Sequence, residues 1–73
     1  MADKILDLKG LVCPRPMVIT MSTMKTMERG QTLEVLCTDI TTKNSIPALC
    51  ERSGYKLLKL KDENGLVTFC IQK

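Results

Sequence analysis

The chain has 73 residues, of which 44% are hydrophobic and 26% are charged, and its net charge is +3. A chain of this length forms one domain with a small core, which disfavours a deep enclosed substrate pocket. It has one Tyr, one Phe and no Trp, and so few rings disfavour a nucleic-acid surface built on base stacking. Because the chain has no His, Ser-His and Cys-His nucleophilic couples and imidazole acid–base chemistry are excluded.

The four cysteines are widely separated and include no C-x-x-C pair: Cys13, Cys37, Cys50 and Cys70. Zinc sites bring their ligands in close pairs, so we expect no metal and no other cofactor. No apolar run reaches the length of a membrane span, and the first residues do not resemble a signal peptide. We therefore expect a cytoplasmic protein with reduced thiols and no membrane partner.

The first predicted elements are a strand and the turn that follows it. Lys4–Leu8 is typical of a short strand with its leucines on one face. Gly10 then allows the backbone to turn sharply. Pro14 and Pro16 follow, and proline is favoured in the first turn of a helix, where its missing N–H is not needed. The pattern predicts a helix start with Cys13 at or near the N-cap.

The first helix is predicted to run to Glu28 or Arg29, with Gly30 as the C-cap residue. Methionines at spacings of three and four share one face, which we predict to be the core face: Met17, Met21, Met24 and Met27. Val18 and Ile19 are predicted to point away from this stripe, towards water. Isolated apolar residues are normal on a surface, but two beside Cys13 are candidates for a partner-docking patch.

Residues 32–38 alternate apolar and polar side chains, which predicts a second strand. The turn after this strand has side-chain oxygens that could cap a helix: Asp39, Thr41 and Thr42. Capping is the simplest role for Asp39, and contact with a partner protein is the alternative. The second helix is predicted over Lys43–Ser53, and its interior Pro47 leaves the start of the helix open.

The last two predicted strands form a hairpin. The strands are Tyr55–Lys61 and Leu66–Gln72, and the turn is Asp62-Glu63-Asn64-Gly65, with Asn-Gly at its sharp point. The order β-α-β-α-β-β predicts an α/β two-layer sandwich, a four-stranded mixed sheet with two helices on one face. The other face of the sheet would be open to dimerisation or to a partner.

Cys13 is the predicted working residue. A helix N-terminus has unpaired N–H groups and the positive end of the helix dipole, which favour a thiolate or a persulfide anion. Arg15 lies close in sequence and can add positive charge. Pro16 occupies the position of the second thiol of a C-x-x-C motif, so no resolving thiol exists there. The alternative is a structural cysteine, the role we predict for the other three. Cys37 and Cys50 lie on predicted inward faces, whereas Cys70 is out of phase with the inward residues of its strand, which leaves its exposure open.

Residues 7–16, Asp-Leu-Lys-Gly-Leu-Val-Cys-Pro-Arg-Pro, resemble the D-x-x-G-x-x-C-P-x-P signature of the TusA/SirA-like sulfur-carrier family. The similarity continues through residues 33–39 and 46–54, so the resemblance implies one such domain over residues 1–73. It also implies that Cys13 accepts sulfane sulfur as a persulfide, with Gly10, Pro14, Arg15 and Pro16 as its supporting motif. The implied donor is a cysteine desulfurase or a rhodanese-like protein, and the implied recipient is a downstream acceptor protein. The resemblance leaves the pathway open among tRNA thiolation, molybdenum-cofactor supply, sulfur oxidation and selenium metabolism.

Three classes of function are therefore weighed. The first is a sulfurtransferase-type carrier rather than a turnover enzyme. The second is a non-catalytic regulatory or nucleic-acid-binding module that uses Lys56, Lys59 and Lys61, although this run is more simply the solvated face of a strand. The third is a thiol oxidoreductase, which would need a second thiol close to Cys13.

Overall fold

A computed structural model of the protein describes residues 2–12 and 14–73. Its elements are β1 Lys4–Leu8, α1 Arg15–Thr26, β2 Thr32–Cys37, α2 Thr42–Ser53, β3 Lys56–Glu63 and β4 Leu66–Gln72. The predicted order β-α-β-α-β-β is confirmed. The predictions for the structure around Cys13 itself lie outside the described residues.

The four strands form one mixed sheet in the order β1-β2-β4-β3. β1 and β2 are parallel, and the other two pairings are antiparallel. Residues that pair across neighbouring strands share a face of the sheet. Val35 pairs with Leu6 and with Phe69, and these three residues mark the face that packs against the core. Residues of both helices join this face in a single core cluster, which includes Met24 and Ile46. Both helices therefore cover one face, and the opposite face is open.

The first helix ends at Thr26, earlier than predicted. Met27 is extended (φ −88°, ψ 158°) and turns into the core, where it is buried. Lys73 then stabilises the helix end, since its Nζ donates to the Met27 carbonyl at 2.7 Å and its carbonyl accepts from the Gly30 N–H at 2.9 Å. The predicted C-cap role of Gly30 is wrong, because this residue pairs with the end of the chain instead.

The buried residues of α1 are Pro16, Thr20 and Met24. The predicted methionine stripe is therefore shifted, since Met21 is only half-buried. The prediction that Ile19 faces water is also wrong, because Ile19 is partly buried and packs against the core. Only Val18 of the predicted pair is exposed.

The second helix begins at Thr42 and contains Pro47 in its interior, beyond the first turn. Proline has no N–H, so the Lys43 carbonyl lacks the helical bond that an ordinary residue at position 47 would donate. The helix ends at Gly54, whose left-handed backbone (φ 77°) is typical of a helix C-terminus.

The hairpin has a shorter turn than predicted, since Glu63 pairs with Leu66 and both belong to strands. Only Asn64 and Gly65 form the loop, and both have positive φ (54° and 83°). This is the backbone of a type I′ turn, whose twist matches that of the strands. A bulge between Leu57 and Lys59 adds one residue to β3 at the edge of the sheet.

Candidate functional site

Two loops meet at one edge of the sheet. β1 and β2 are parallel and end together, with Leu8 opposite Cys37, so the loops that follow them lie at the same edge. The Gly10 N–H donates to Thr38 Oγ1 at 2.9 Å, which joins the two loops. Cys13 belongs in sequence to the first of these loops, although it lies outside the described residues.

The described residues around Cys13 form the start of α1. Pro14 is the N-cap residue, and its carbonyl accepts from the Val18 N–H at 3.0 Å. The Arg15 N–H donates to the Val12 carbonyl, also at 3.0 Å. Pro16 is buried, whereas Arg15 is exposed. The first turn of α1 has no acidic residue, so nothing in that turn offsets the positive end of the helix dipole, which favours an anion there.

The acidic and glycine positions of the signature shape the turn before this helix. Asp7 Oδ1 accepts from the Lys9 N–H at 3.2 Å, and its Oδ2 lies 3.8 Å from Lys9 Nζ. Gly10 follows with φ +86°, a left-handed backbone that other residues adopt only under strain. Gly10 therefore fixes the backbone of this turn.

Asp39 organises the second loop. Its Oδ1 accepts from the Thr41 N–H at 3.0 Å and from Thr41 Oγ1 at 2.8 Å, and its carbonyl accepts from Thr42 Oγ1 at 2.6 Å. The N-cap residue of α2 is Thr41, one of the three predicted, and its side chain makes no cap bond within the described residues. Asp39, the simplest predicted cap, is not the N-cap residue, and its Oδ1 orders the turn before the helix.

Exposed apolar side chains lie around the two loops. Val12 in the first loop and Ile40 in the second are both 66% exposed, and Val18 in α1 is 45% exposed. Of these three residues, only Val18 is predicted from the sequence as a docking candidate. Ile40 has polar residues on both sides in sequence, which was an available signal for exposure, whereas Val12 follows Leu11 and gives no such signal. Only the sheet order shows that the two loops are neighbours.

Two of the other cysteines are structural. Cys37 and Cys50 are buried, as predicted, and burial raises the pKa of both thiols. At Cys37 the charge of Asp39 raises the pKa further, while a hydrogen bond with Thr42 lowers it. Both thiols are thus held in the protonated, unreactive form. Cys70 is half-buried on the open face of the sheet.

The three lysines of β3 lie on the open face, since Lys56, Lys59 and Lys61 pair with open-face residues of β4. This confirms the solvated strand face. Lys61 Nζ lies 3.4 Å from Glu63 Oε2, and Glu34 lies on the same face, so the surface has charges of both signs. A nucleic-acid footprint would be a concentrated basic stripe.

Within residues 2–12 and 14–73, no group of three or more His, Cys, Asp or Glu side chains could hold a metal ion. None of the helices described in the structure combines the length and apolar character needed to span a membrane.

The chain is similar to known proteins along nearly its whole length. The family model described as "Sulfurtransferase TusA" matches residues 4–73. The chain is 46% identical over 72 residues to "Putative sulfur carrier protein YrkI" of Bacillus subtilis. This alignment covers 99% of this chain and 96% of that protein. It is 35% identical over 71 residues to "Sulfur carrier protein TusA" of Pseudomonas putida, covering 97% and 89% respectively. The crystal structure of a SirA-like protein from Desulfitobacterium hafniense has the same fold, with a TM-score of 0.82 over 94% of this chain and 95% of that chain, at 22% identity.

Proposed function

The chain belongs to the sulfurtransferase TusA family, and from this membership we propose that it is a sulfur carrier whose Cys13 holds sulfur as a persulfide. The observation that carries the proposal is the signature Asp7–Pro16, which spans the end of β1 and the start of α1. Cys13 is the only cysteine in this signature, so we assign Cys13 as the residue that accepts the sulfur atom and passes it on.

The transfer step is a displacement at sulfur. The Cys13 thiolate attacks the terminal sulfur of a donor persulfide, R–S–SH, and forms a new S–S bond. The donor's S–S bond breaks and its cysteine leaves as thiolate, R–S⁻, while Cys13 becomes the persulfide. Sulfane sulfur moves between two cysteines, so no external oxidant or reductant is needed. An attacking group of an acceptor then takes the terminal sulfur and returns Cys13 to thiolate.

The start of α1 supports this chemistry electrostatically. Its first turn has no acidic residue, and the exposed Arg15 adds a positive charge. A thiolate and a persulfide anion are both stabilised by such surroundings. Pro16 takes the place of a resolving thiol, so a persulfide on Cys13 would wait for an acceptor instead of closing a disulfide within the motif.

The proposed donor is a cysteine desulfurase or a rhodanese-like protein, and the acceptor is a protein of tRNA thiolation or of another sulfur-transfer pathway. Val18 and Asp39 are proposed to contact these partners, together with Val12 and Ile40 on the two loops. Ile19 contributes less surface, because it packs partly against the core. The relay is proposed to work in the cytoplasm, where thiols stay reduced.

The experiment is sulfur uptake from a cysteine desulfurase and cysteine, measured by intact mass. We expect the wild type to gain the mass of one sulfur atom and to lose it on treatment with a reductant. Cys13→Ser should gain none. Cys70→Ser is the matched control, since Cys70 is the most accessible thiol among the described residues, and it should gain sulfur as the wild type does. Equal uptake by Cys13→Ser would refute the proposal.

Docking can be tested separately from chemistry. Ile40→Asp should slow sulfur uptake when the donor is limiting and leave the final extent unchanged when the donor is saturating, because the thiol is intact. Leu58→Asp is the control, since Leu58 is 52% exposed at the bulge of the edge strand β3. If both variants slowed uptake equally, the docking surface would not be at the two loops.

A further inference from the structure

The open face of the sheet has two halves of opposite charge. On the β1–β2 side it has Asp7 and Glu34, and on the β3 side it has Lys56, Lys59 and Lys61. Two carboxylates on this face are already paired within the chain, Asp7 with Lys9 at 3.8 Å and Glu63 with Lys61 at 3.4 Å. Among the described residues of this face, Glu34 is the acidic charge that remains available to a partner. Between the halves lies a shallow depression of about 330 Å³, whose floor includes Leu36, Leu66, Thr68 and Cys70.

We propose that this face binds a second copy of the chain, about a two-fold axis parallel to the strands. Such an axis, placed over β4, reverses the strand order of the second copy, so that β2, β4 and β3 of one copy lie over β3, β4 and β2 of the other. The acidic half of each copy then faces the basic half of its partner, and the same surface serves both subunits. Like charges would face each other if the second copy packed on the first with its strand order unchanged.

The register identifies the charges that meet. Glu34, Cys70 and Lys59 lie at one level across three strands. Glu34 and Lys59 are about 10 Å apart across the intervening strand, and neither forms an ion pair with another described residue. Two packed sheets lie about 10 Å apart, a gap that a glutamate and a lysine side chain together can span. Each Glu34 therefore meets the Lys59 of the other copy.

The size of the face sets the strength of the association. Three strand spacings of about 4.8 Å and strands of five to eight residues, at about 3.4 Å per residue, give a face of roughly 300 Å² per copy. A stable interface buries about 800 Å² per partner, so we expect a weak dimer. The helices and the two loops of the sulfur site stay outside this interface.

A second copy fits this surface better than a polyanion does. The acidic half would repel a phosphate backbone, whereas it complements the basic half of another chain. The association is predicted to weaken as salt rises, because the paired charges lie near the rim and are screened.

The test is sedimentation velocity from micromolar to millimolar concentration. We expect the wild type to shift reversibly from monomer to dimer. Glu34→Lys and Lys59→Glu should each stay monomeric, because like charges then face each other. The double variant should dimerise again, since it only exchanges the two charges. Glu51→Lys and Lys25→Glu, on exposed helix positions, change the net charge by the same amounts and should dimerise as the wild type does.

A second measurement follows Cys70, which lies in the depression. Its alkylation rate should fall as the protein concentration rises in the wild type and stay constant in Glu34→Lys. The proposal is overturned if the wild type is monomeric throughout, if the double reversal fails to restore the dimer, or if the face binds a nucleic-acid duplex in place of a second chain.

Discussion

Thr20 is a polar residue placed where the fold buries apolar ones. It lies on the inner side of α1 with none of its surface exposed, and its hydroxyl oxygen has no hydrogen-bond partner among residues 2–12 and 14–73. A buried polar group without a partner costs about 1–3 kcal/mol relative to a solvated one. Valine has nearly the same shape and no hydroxyl, so the position tests this cost directly.

We predict that Thr20→Val raises the free energy of unfolding by about 1 kcal/mol. Urea denaturation of the two proteins measures the change. Thr23→Val is the control, since Thr23 is half-buried on the same helix, and a change there should stay within about 0.5 kcal/mol. Loss of stability in Thr20→Val would mean that the hydroxyl has a partner, such as a buried water.

Single residues were predictable where strand alternation decides their face. Cys37 lies inward because it shares the period of Leu33 and Val35. The face of α1 was harder, because four methionines and two neighbouring apolar residues allow more than one apolar stripe. The fold instead buries Pro16, Thr20 and Met24, and no propensity indicates that a threonine will be preferred to Met21.

At the scale of elements, the order of helices and strands followed from glycine positions and hydrophobic periods, whereas some boundaries depended on distant contacts. The end of α1 is set by burial of Met27 and by hydrogen bonds with Lys73. These residues are far apart in sequence, so no local pattern could locate that boundary. The hairpin was predictable because Asn-Gly by itself specifies a type I′ turn.

Pro47 lies inside α2, where it lowers the stability of the helix. A proline inside a helix costs about 3 kcal/mol relative to alanine, and part of this is offset because proline also restricts the unfolded chain by about 0.4–1 kcal/mol. We therefore expect Pro47→Ala to stabilise the protein by about 2–2.6 kcal/mol, through the restored N–H bond to the Lys43 carbonyl. Urea denaturation checks the change.

Pro47→Gly is the matched comparison for that variant. It restores the same N–H but has a helix propensity about 1 kcal/mol poorer than that of alanine. The expected order of stability is therefore alanine, then glycine. If Pro47→Ala destabilised the protein, the half-buried proline ring would contribute more through packing than its missing hydrogen bond takes away.

At the scale of the whole molecule, the buried thiols link stability to pH. The folded state raises the pKa of Cys37 and Cys50 through burial. The unfolded thiols lose their protons above about pH 8.5 while the folded ones keep theirs, so stability falls as pH rises beyond that point. Below it both states are protonated, and the contribution is constant.

We predict that the free energy of unfolding decreases between pH 8 and 10 and that this decrease is smaller in Cys37→Ala. Urea denaturation across the pH range measures both slopes. Comparison of the two slopes isolates the contribution of Cys37 from that of every other group, because only the Cys37 thiol differs between the two proteins. Equal slopes in the wild type and in Cys37→Ala would contradict a raised thiol pKa.

The candidate site can be inferred in part from the sequence. The signature indicates Cys13 and its supporting residues, and this assignment stays a prediction. The two loops lie side by side, as the hydrogen bond between Gly10 and Thr38 shows. This proximity could not be predicted without knowing the order of the strands in the sheet. The exposure of Val12 and Ile40 beside these loops likewise depends on tertiary structure. Of the three exposed apolar residues, only Val18 was predicted from the sequence.

The most direct test of the central claim is to locate the transferred sulfur. The protein is incubated with a cysteine desulfurase and cysteine, its persulfides are alkylated, and the digested peptides are analysed by mass spectrometry. We predict that the additional sulfur is found on the peptide that contains Cys13 and on no other. Sulfur found instead on the peptide that contains Cys70, with none on Cys13, would contradict the account.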